Sequence, residues 1–310
     1  AYLGRDHCRD DLVWLDGVRA VALATLIAFC NLLGACDASD TRERGADNGP
    51  YSRIVTLAPN LAELVFAAGA GDRLVGVSAY SNYPPDVMAL PLVGDAFTVD
   101  QEQLALLKPD LLLAWHSGTP AHVIDELQQA GYTVAVISTQ SLDDIPRAMA
   151  RIGELAGTER DAQEAGLALA AALEALALEF SGKEPIRTFY QVSMRPLYTV
   201  SGSHYASELI ESCGGTNVFS DLEDLAPAID VEAVIDRDPE VILAGTDAGE
   251  DAFDEWQRWP AMAANRFGNH FLVPSDELSR ATPRVIIAGR VVCEALQTAR
   301  QRRGDSAISP

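Results

Sequence analysis

The chain has 310 residues, 48% of them hydrophobic, and a formal net charge of −22. That length allows two ordinary domains with a sizeable core. So acidic a surface repels phosphate backbones, which excludes nucleic-acid binding, and it disfavours adhesion to anionic lipid, so any membrane attachment needs a covalent or hydrophobic anchor.

Residues 1–36 supply an anchor. Residues 20–35 read AVALATLIAFCNLLGA, without a charge. As a helix they would span roughly 24 Å, short of the roughly 30 Å hydrocarbon core, which suits a signal peptide better than a permanent span. The run ends Leu33-Gly34-Ala35-Cys36, which resembles the bacterial lipobox. That resemblance implies cleavage before Cys36 and a diacylglycerol on its sulfur. Residues 37–50 are polar and read as a tether. The segment before the apolar run is acidic (Asp6, Asp10, Asp11, Asp16), so translation is expected to start near Val18, with Arg19 as the basic flank.

After the tether, strands alternate with helices. Residues 53–57 (RIVTL) read as a strand, 61–68 as a helix closed by Gly69, and 74–77 as a second strand. Residues 101–107 are helical and stop at Pro109. Residues 111–114 form an all-apolar strand, buried on both faces. A helix over 121–130 ends at Gly131, and 133–137 is a fourth strand. Residues 142–155 and 159–180 are built from strong helix formers, ended by Ser181-Gly182. The second of these is long enough to bridge two lobes. Then 186–192 reads as a strand, 207–212 and 231–235 as helices, and 241–244 as a strand. Two halves echo one another: QEQLALLKPDLLLA (101–114) and VEAVIDRDPEVILA (231–244), and Glu63-Leu64 before Ala68-Gly69 as Glu208-Leu209 before Cys213-Gly214. The fold predicted is α/β, two Rossmann-like lobes joined by one long backbone helix. The boundaries are 51–157 for the first lobe, 158–183 for the helix, 184–300 for the second lobe and 301–310 for a tail.

Cys8, Cys30 and Cys36 fall in the leader, leaving Cys213 and Cys293. Two cysteines in an exported chain suggest one disulfide, the alternative being two separate buried thiols. No Gly-rich phosphate loop, GxSxG, HExxH or CxxC occurs. His116, His122, His204 and His270 are scattered. Neither catalysis nor a resident metal or cofactor is supported; binding remains.

Four segments carry a family resemblance: RIVTLAPNLAELVFAAGAGDRLVGVSAYSNYPP (53–85), EQLALLKPDLLLAW (102–115), SELIESCGGTNVF (207–219) and SRATPRVIIAGRVVCEAL (279–296). Together they resemble the periplasmic cobalamin-binding proteins of ABC importers, in the helical-backbone metal-receptor class of solute-binding proteins. The resemblance implies a periplasmic, lipid-anchored monomer that holds cobalamin or a related corrinoid in the cleft between its lobes. It assigns Pro59, Asn60, Tyr80, Phe97, Trp115, Tyr198, Asp276 and Arg280 to the ligand. It assigns Glu102 and Glu211, with Glu208 close behind, to docking on an ABC permease in the inner membrane. A flat apolar macrocycle needs rigid aromatic faces, and its amide side chains need hydrogen-bond partners. The second lobe departs from the family pattern: Asp224-Leu225-Ala226-Pro227 and Ser275-Asp276-Glu277-Leu278 lack Trp and Phe. Tyr198 and Phe97 are expected to supply part of the aromatic face instead. A receptor of the same class for haem or a ferric siderophore is the alternative. An enzyme or metal-cluster protein on a paired α/β scaffold would need several Cys or His ligands in one cleft.

Overall fold

The computed structural model describes residues 50–95 and 97–308. The export segment, Cys36 and the tether up to residue 49 lie outside the described residues. The first sheet holds β1 (Ile54–Thr56), β2 (Leu74–Val77), β3 (Leu111–Trp115) and β4 (Val134–Ile137), all parallel, in the order β2-β1-β3-β4. Its connections carry α1 (Pro59–Ala67), α2 (Gln101–Leu107) and α3 (Ala121–Gln129). The chain leaves β4 through α4 (Asp144–Ala156) and α5 (Glu159–Phe180) and enters a second sheet. That sheet holds β5 (Ile186–Gln191), β8 (Gly215–Asn217), β9 (Val241–Gly245) and β10 (His270–Val273), again all parallel. A two-stranded ribbon, β6 (Ser193–Met194) and β7 (Leu197–Tyr198), follows β5. The second-lobe helices are α6 (Tyr205–Ser212), α7 (Val231–Arg237), α8 (Ala263–Phe267), α9 (Ser275–Ser279) and α10 (Val285–Ile308).

Written β8-β5-β9-β10, the second sheet repeats the first strand for strand. The repeat extends to detail. Asp100 caps α2 by accepting the Gln103 N–H, and Asp230 caps α7 by accepting the Ala233 N–H. Both helices end on a left-handed residue, Lys108 (φ 47°) or Asp238 (φ 43°), ahead of a proline and a buried strand. The echo between the two sequence segments is a structural duplication.

The period-two alternation of the strands decides where the core lies. Ile54, Leu111, Leu113, Val241, Leu243 and Tyr190 point to an inner layer of α1, α4, α5, α6 and α10, and this layer forms one continuous apolar cluster shared by both lobes. Val55, Leu57, Leu112 and Ala114 point outward to a small first-lobe cluster, and Phe189, Ile242, Phe219 and Trp256 to a second-lobe one. The helix α5 presses closely on α4. A Cβ on Gly153 would meet the Ala162 methyl at 2.6 Å, so glycine sets that approach.

The expected tail is a correction. Residues 301–308 continue α10, because its arginines tie it to the second lobe. Arg300 donates to the carbonyls of Cys213 (2.7 Å) and Gly214 (2.8 Å), and Arg303 to that of Pro185 (3.1 Å) and to Glu240 (3.1 Å). Cys213 and Cys293 are joined, linking the end of α6 to α10.

His204 caps α6. Its Nδ1 accepts the Ala206 N–H at 3.1 Å and its ring lies against Tyr205, centroids 4.3 Å apart. Burial pulls its pKa down to about 4, and the cap itself requires an unprotonated Nδ1. In the unfolded chain the imidazole titrates near 6.5, so between the two values the unfolded state holds more protons. Stability is therefore present above pH 6.5 and falls as pH drops towards 4, by up to about 3 kcal/mol from this group. Urea titrations at pH 7 and pH 4.5 should show His204→Asn, a neutral cap, losing less stability on acidification than the parent. Equal losses would remove His204 as the cause.

Candidate ligand-binding cleft

Ligands of open parallel sheets bind beyond the carboxyl ends of the strands. In the first lobe those ends carry aromatic residues. Trp115 closes β3, and its indole Nε1 donates to Thr139 Oγ1 at 3.0 Å while its backbone N–H donates to Thr119 Oγ1 at 3.0 Å. Gly118 lies beneath the ring, where a Cβ would come within 2.2 Å of it. The ring is thus fixed on one side and half-buried. Tyr80, three residues past β2, is 83% exposed and has a φ of 67°. Phe97 is exposed on a turn in which Asp95 Oδ1 accepts the N–H groups of Phe97 (2.9 Å) and Thr98 (2.8 Å). Pro59 opens α1, and Asn60 beside it is buried with its Nδ2 unpartnered, as is the Thr56 hydroxyl at the end of β1.

The two lobes meet through a polar strap. Asn82, in the loop after β2, donates to Asp276 Oδ2 at 2.9 Å, at the start of the helix that follows β10. Arg280 donates to Asn82 Oδ1 (2.6 Å), to the Tyr80 carbonyl (3.1 Å) and to Glu63 (2.9 Å), and forms an ion pair with Asp276 (2.9 Å). Glu63 lies on α1, buried, and also accepts from Thr282 Oγ1 (2.9 Å) and from Arg284 (2.6 and 2.9 Å). Arg284 in turn pairs with Glu277 and lies over the Tyr83 ring, 4.2 Å from its centroid. The counterpart of Glu63 in the repeat is Glu208 on α6, whose Oε2 accepts the Leu142 N–H at 2.8 Å, in the segment leading into α4. The two ties are reciprocal: each lobe's first helix holds the entry to the other lobe's last helix. Burial raises the Glu208 carboxyl above its ordinary pKa, as do Asp143, Asp144 and Glu211, against the Leu142 N–H.

The second lobe contributes less aromatic surface. Tyr198 stands half-exposed on β7, bridged to Ala228. At the carboxyl ends of β5 and β9 a depression of about 610 Å³ is walled by Gln191, Met194, Arg195, Asp247, Asp251 and Glu255. Its floor is rigid: Gln191 accepts from the buried Trp256 indole at 2.6 Å and donates to the Ala252 carbonyl at 3.1 Å.

Asp276, Arg280 and Tyr80 are thus brought together, with Trp115 at the end of β3, one strand removed from β2 across β1. Glu102 is exposed in the first turn of α2, and Glu211 is exposed near the end of α6. The repeat pairs α2 with α7, so the counterpart of Glu102 is Glu232, exposed one residue into α7. Glu211 has a different place in the duplication. His116 and His122 are exposed, and His270 stacks on Phe253 at 5.1 Å. Sequence reasoning missed Glu63, Asn82, Thr282 and Arg284 as a group. The one available signal was a lone carboxylate in the otherwise uncharged helix PNLAELVFA.

A model of the periplasmic binding protein family matches residues 54–277. The vitamin B12-binding protein of Vibrio cholerae is 34% identical over 254 residues, 82% of this chain and 92% of that protein. That of Yersinia pestis is 32% identical over 251 residues, 79% of this chain and 86% of that protein. The crystal structure of the periplasmic vitamin B12 binding protein of Vibrio cholerae superposes with a TM-score of 0.74 at 34% identity, covering 81% of this chain and 98% of that one. A periplasmic haem-binding protein from Roseiflexus superposes with a TM-score of 0.70 at 22% identity, over 81% of this chain and 100% of that one, a likeness of fold.

Proposed function

We propose, from the premise that this chain belongs to the periplasmic binding protein family, that it captures cobalamin or a related corrinoid between its lobes and delivers it to an ABC permease. The observation that carries the reading is the pair of aromatic rings beyond the carboxyl ends of β3 and β2, the two strands that flank β1: Trp115 held by Thr139 and Gly118, and Tyr80 standing free. A corrin ring is flat, apolar and fringed with amides, so it needs a fixed aromatic face and acceptors for its N–H groups. The carboxylates of Asp247, Asp251 and Glu255 suit those amides. They oppose a macrocycle fringed with carboxylates, such as haem, through like-charge repulsion. The vitamin B12-binding relatives point the same way.

In this reading a diacylglycerol on Cys36 confines the monomer to the membrane surface. Glu102 and Glu232, equivalent by the duplication, face the permease as a matched pair, in preference to Glu102 with Glu211. Charge pairs of this kind set orientation and encounter rate more than affinity.

Calorimetric titration with cobalamin, haem and a ferric siderophore tests the reading. Trp115→Ala should cost on the order of 2–3 kcal/mol of cobalamin binding, roughly thirty- to 150-fold in Kd. Tyr80→Ala should cost less, and His116→Ala almost nothing. Tight haem binding with no cobalamin binding at micromolar concentration would overturn the ligand assignment.

A further inference from the structure

We propose that Arg280, held in place by Glu63, is a positioning residue: it fixes the Tyr80 backbone in the left-handed region and so aims the ring on which the ligand stacks. The inference rests on the receptor reading above and assigns Glu63 and Arg280 a role within it.

Three non-glycine residues among those described have positive φ: Tyr80, Lys108 and Asp238. The latter two end helices, where that conformation is routine. Tyr80 ends no helix. It follows Ser78-Ala79 after β2, and a left-handed aromatic residue there persists only if its surroundings over-determine it. Arg280 supplies the constraint. One nitrogen of its guanidinium donates to the Tyr80 carbonyl and the other to Asn82 Oδ1, so the turn is gripped on both sides of Ser81. Glu63 and Asp276 hold the same two nitrogens from behind.

A guanidinium has five N–H groups in a fixed fork. On the terminal nitrogens of Arg280, three N–H groups donate to Glu63, Asn82 and the Tyr80 carbonyl, the Asp276 carboxylate pairs with Nη2, and the side chain is only 12% exposed. Little donor capacity is left for a ligand. Arg280, assigned from the sequence to the ligand itself, therefore acts through Tyr80. The Tyr80 ring, by contrast, is 83% exposed.

Without the grip, Tyr80 relaxes to negative φ and the stacking conformer becomes a minor state, which weakens the apparent affinity by about five- to thirty-fold. The test is a double-mutant cycle read with cyanocobalamin by calorimetry. Glu63→Gln and Arg280→Lys should each lose that factor in the parent. In a Tyr80→Ala background each should lose no more than about twofold, since the residue they act through is gone. An equal loss in both backgrounds would mean direct ligand contact or a general structural effect, and would overturn the proposal. Glu63→Gln removes a buried charge, so Arg280→Lys, which leaves a cation beside Glu63, keeps the cycle interpretable should the first variant fold poorly. A ligand-free crystal structure of Arg280→Lys gives an independent reading. Tyr80 at negative φ supports the proposal, and Tyr80 unchanged near 67° refutes it. That second measurement stands whether or not the protein binds cobalamin, so failure of the receptor reading and failure of the positioning role are separate outcomes.

Discussion

Glu63→Leu lowers the unfolding free energy by about 3–5 kcal/mol, the range seen when one partner of a buried ion network is removed. The Glu63 side chain is 2% exposed, and the two arginines it binds are 12% and 13% exposed. Taking it away leaves Arg280 with Asp276 and Arg284 with Glu277, and leaves the Thr282 hydroxyl unpaired. Burial works against the Arg284 cation, but hydrogen bonding and charge from Glu63, with Glu277 and Asp276, outweigh it and raise its pKa. The loss thus falls on groups largely withdrawn from water. For a chain of this size the melting temperature should drop by roughly 5–15 °C. Urea unfolding at pH 7 measures the effect directly, and a loss under about 1 kcal/mol would show the network to be dispensable. Replacing Arg280 and Arg284 by apolar residues as well should recover part of the loss, because the unpaired charges go with them.

The second large effect belongs to the disulfide. Cys213 and Cys293 enclose 80 residues, including β8, β9 and β10, and both are fully buried. In the chain-entropy model, closing a loop of that size stabilises by roughly 4–5 kcal/mol, an upper value because strain and residual structure subtract from it. Cys213→Ala with Cys293→Ala should therefore lower the urea midpoint strongly, and adding a phosphine reductant to the parent should reproduce much of the shift. Two reactive thiols in unreduced, denatured protein would contradict the bond. Stability unchanged by reduction would contradict its energetic role.

Elements defined by local periodicity were legible. The run Leu111-Leu112-Leu113-Ala114 is apolar at every position because one face meets the shared core and the other the outer cluster. The helix Glu159–Phe180 was equally plain, since its composition favours no other structure. The strand His270–Val273 was not, being four residues long and only partly buried over three of them. Residues 301–308 read as a tail because their arginines look like a solvated run, yet Arg302 and Arg303 find partners at Gly268, Pro185 and Glu240. The site divides the same way. Trp115 and Tyr80 could be placed at strand ends from the sequence, since a strand fixes where its next residue emerges. Glu63 could be seen as an odd charge in an apolar helix, but its partners lie 217 to 221 residues away and no local pattern announces them. Glu232 was visible in the sequence echo, and only the matched caps Asp100 and Asp230 gave it its place.

If the chain is the receptor proposed above, the reciprocal ties of Glu63 and Glu208 bear on how its loaded form differs from its empty one. Spreading the lobes would strip both carboxylates of their partners and open the apolar layer around α5 to water. The two lobes are therefore expected to keep their spacing when the proposed ligand binds. Heat capacity should change on loading only by what the ligand itself covers, and small-angle scattering curves with and without it should coincide. In the proposed receptor role a membrane partner then meets two forms that present Glu102 and Glu232 alike. It has to distinguish them at the mouth of the cleft, or not at all. In the latter case empty receptors occupy the partner as readily as full ones, and flux passes through a maximum as receptor abundance rises.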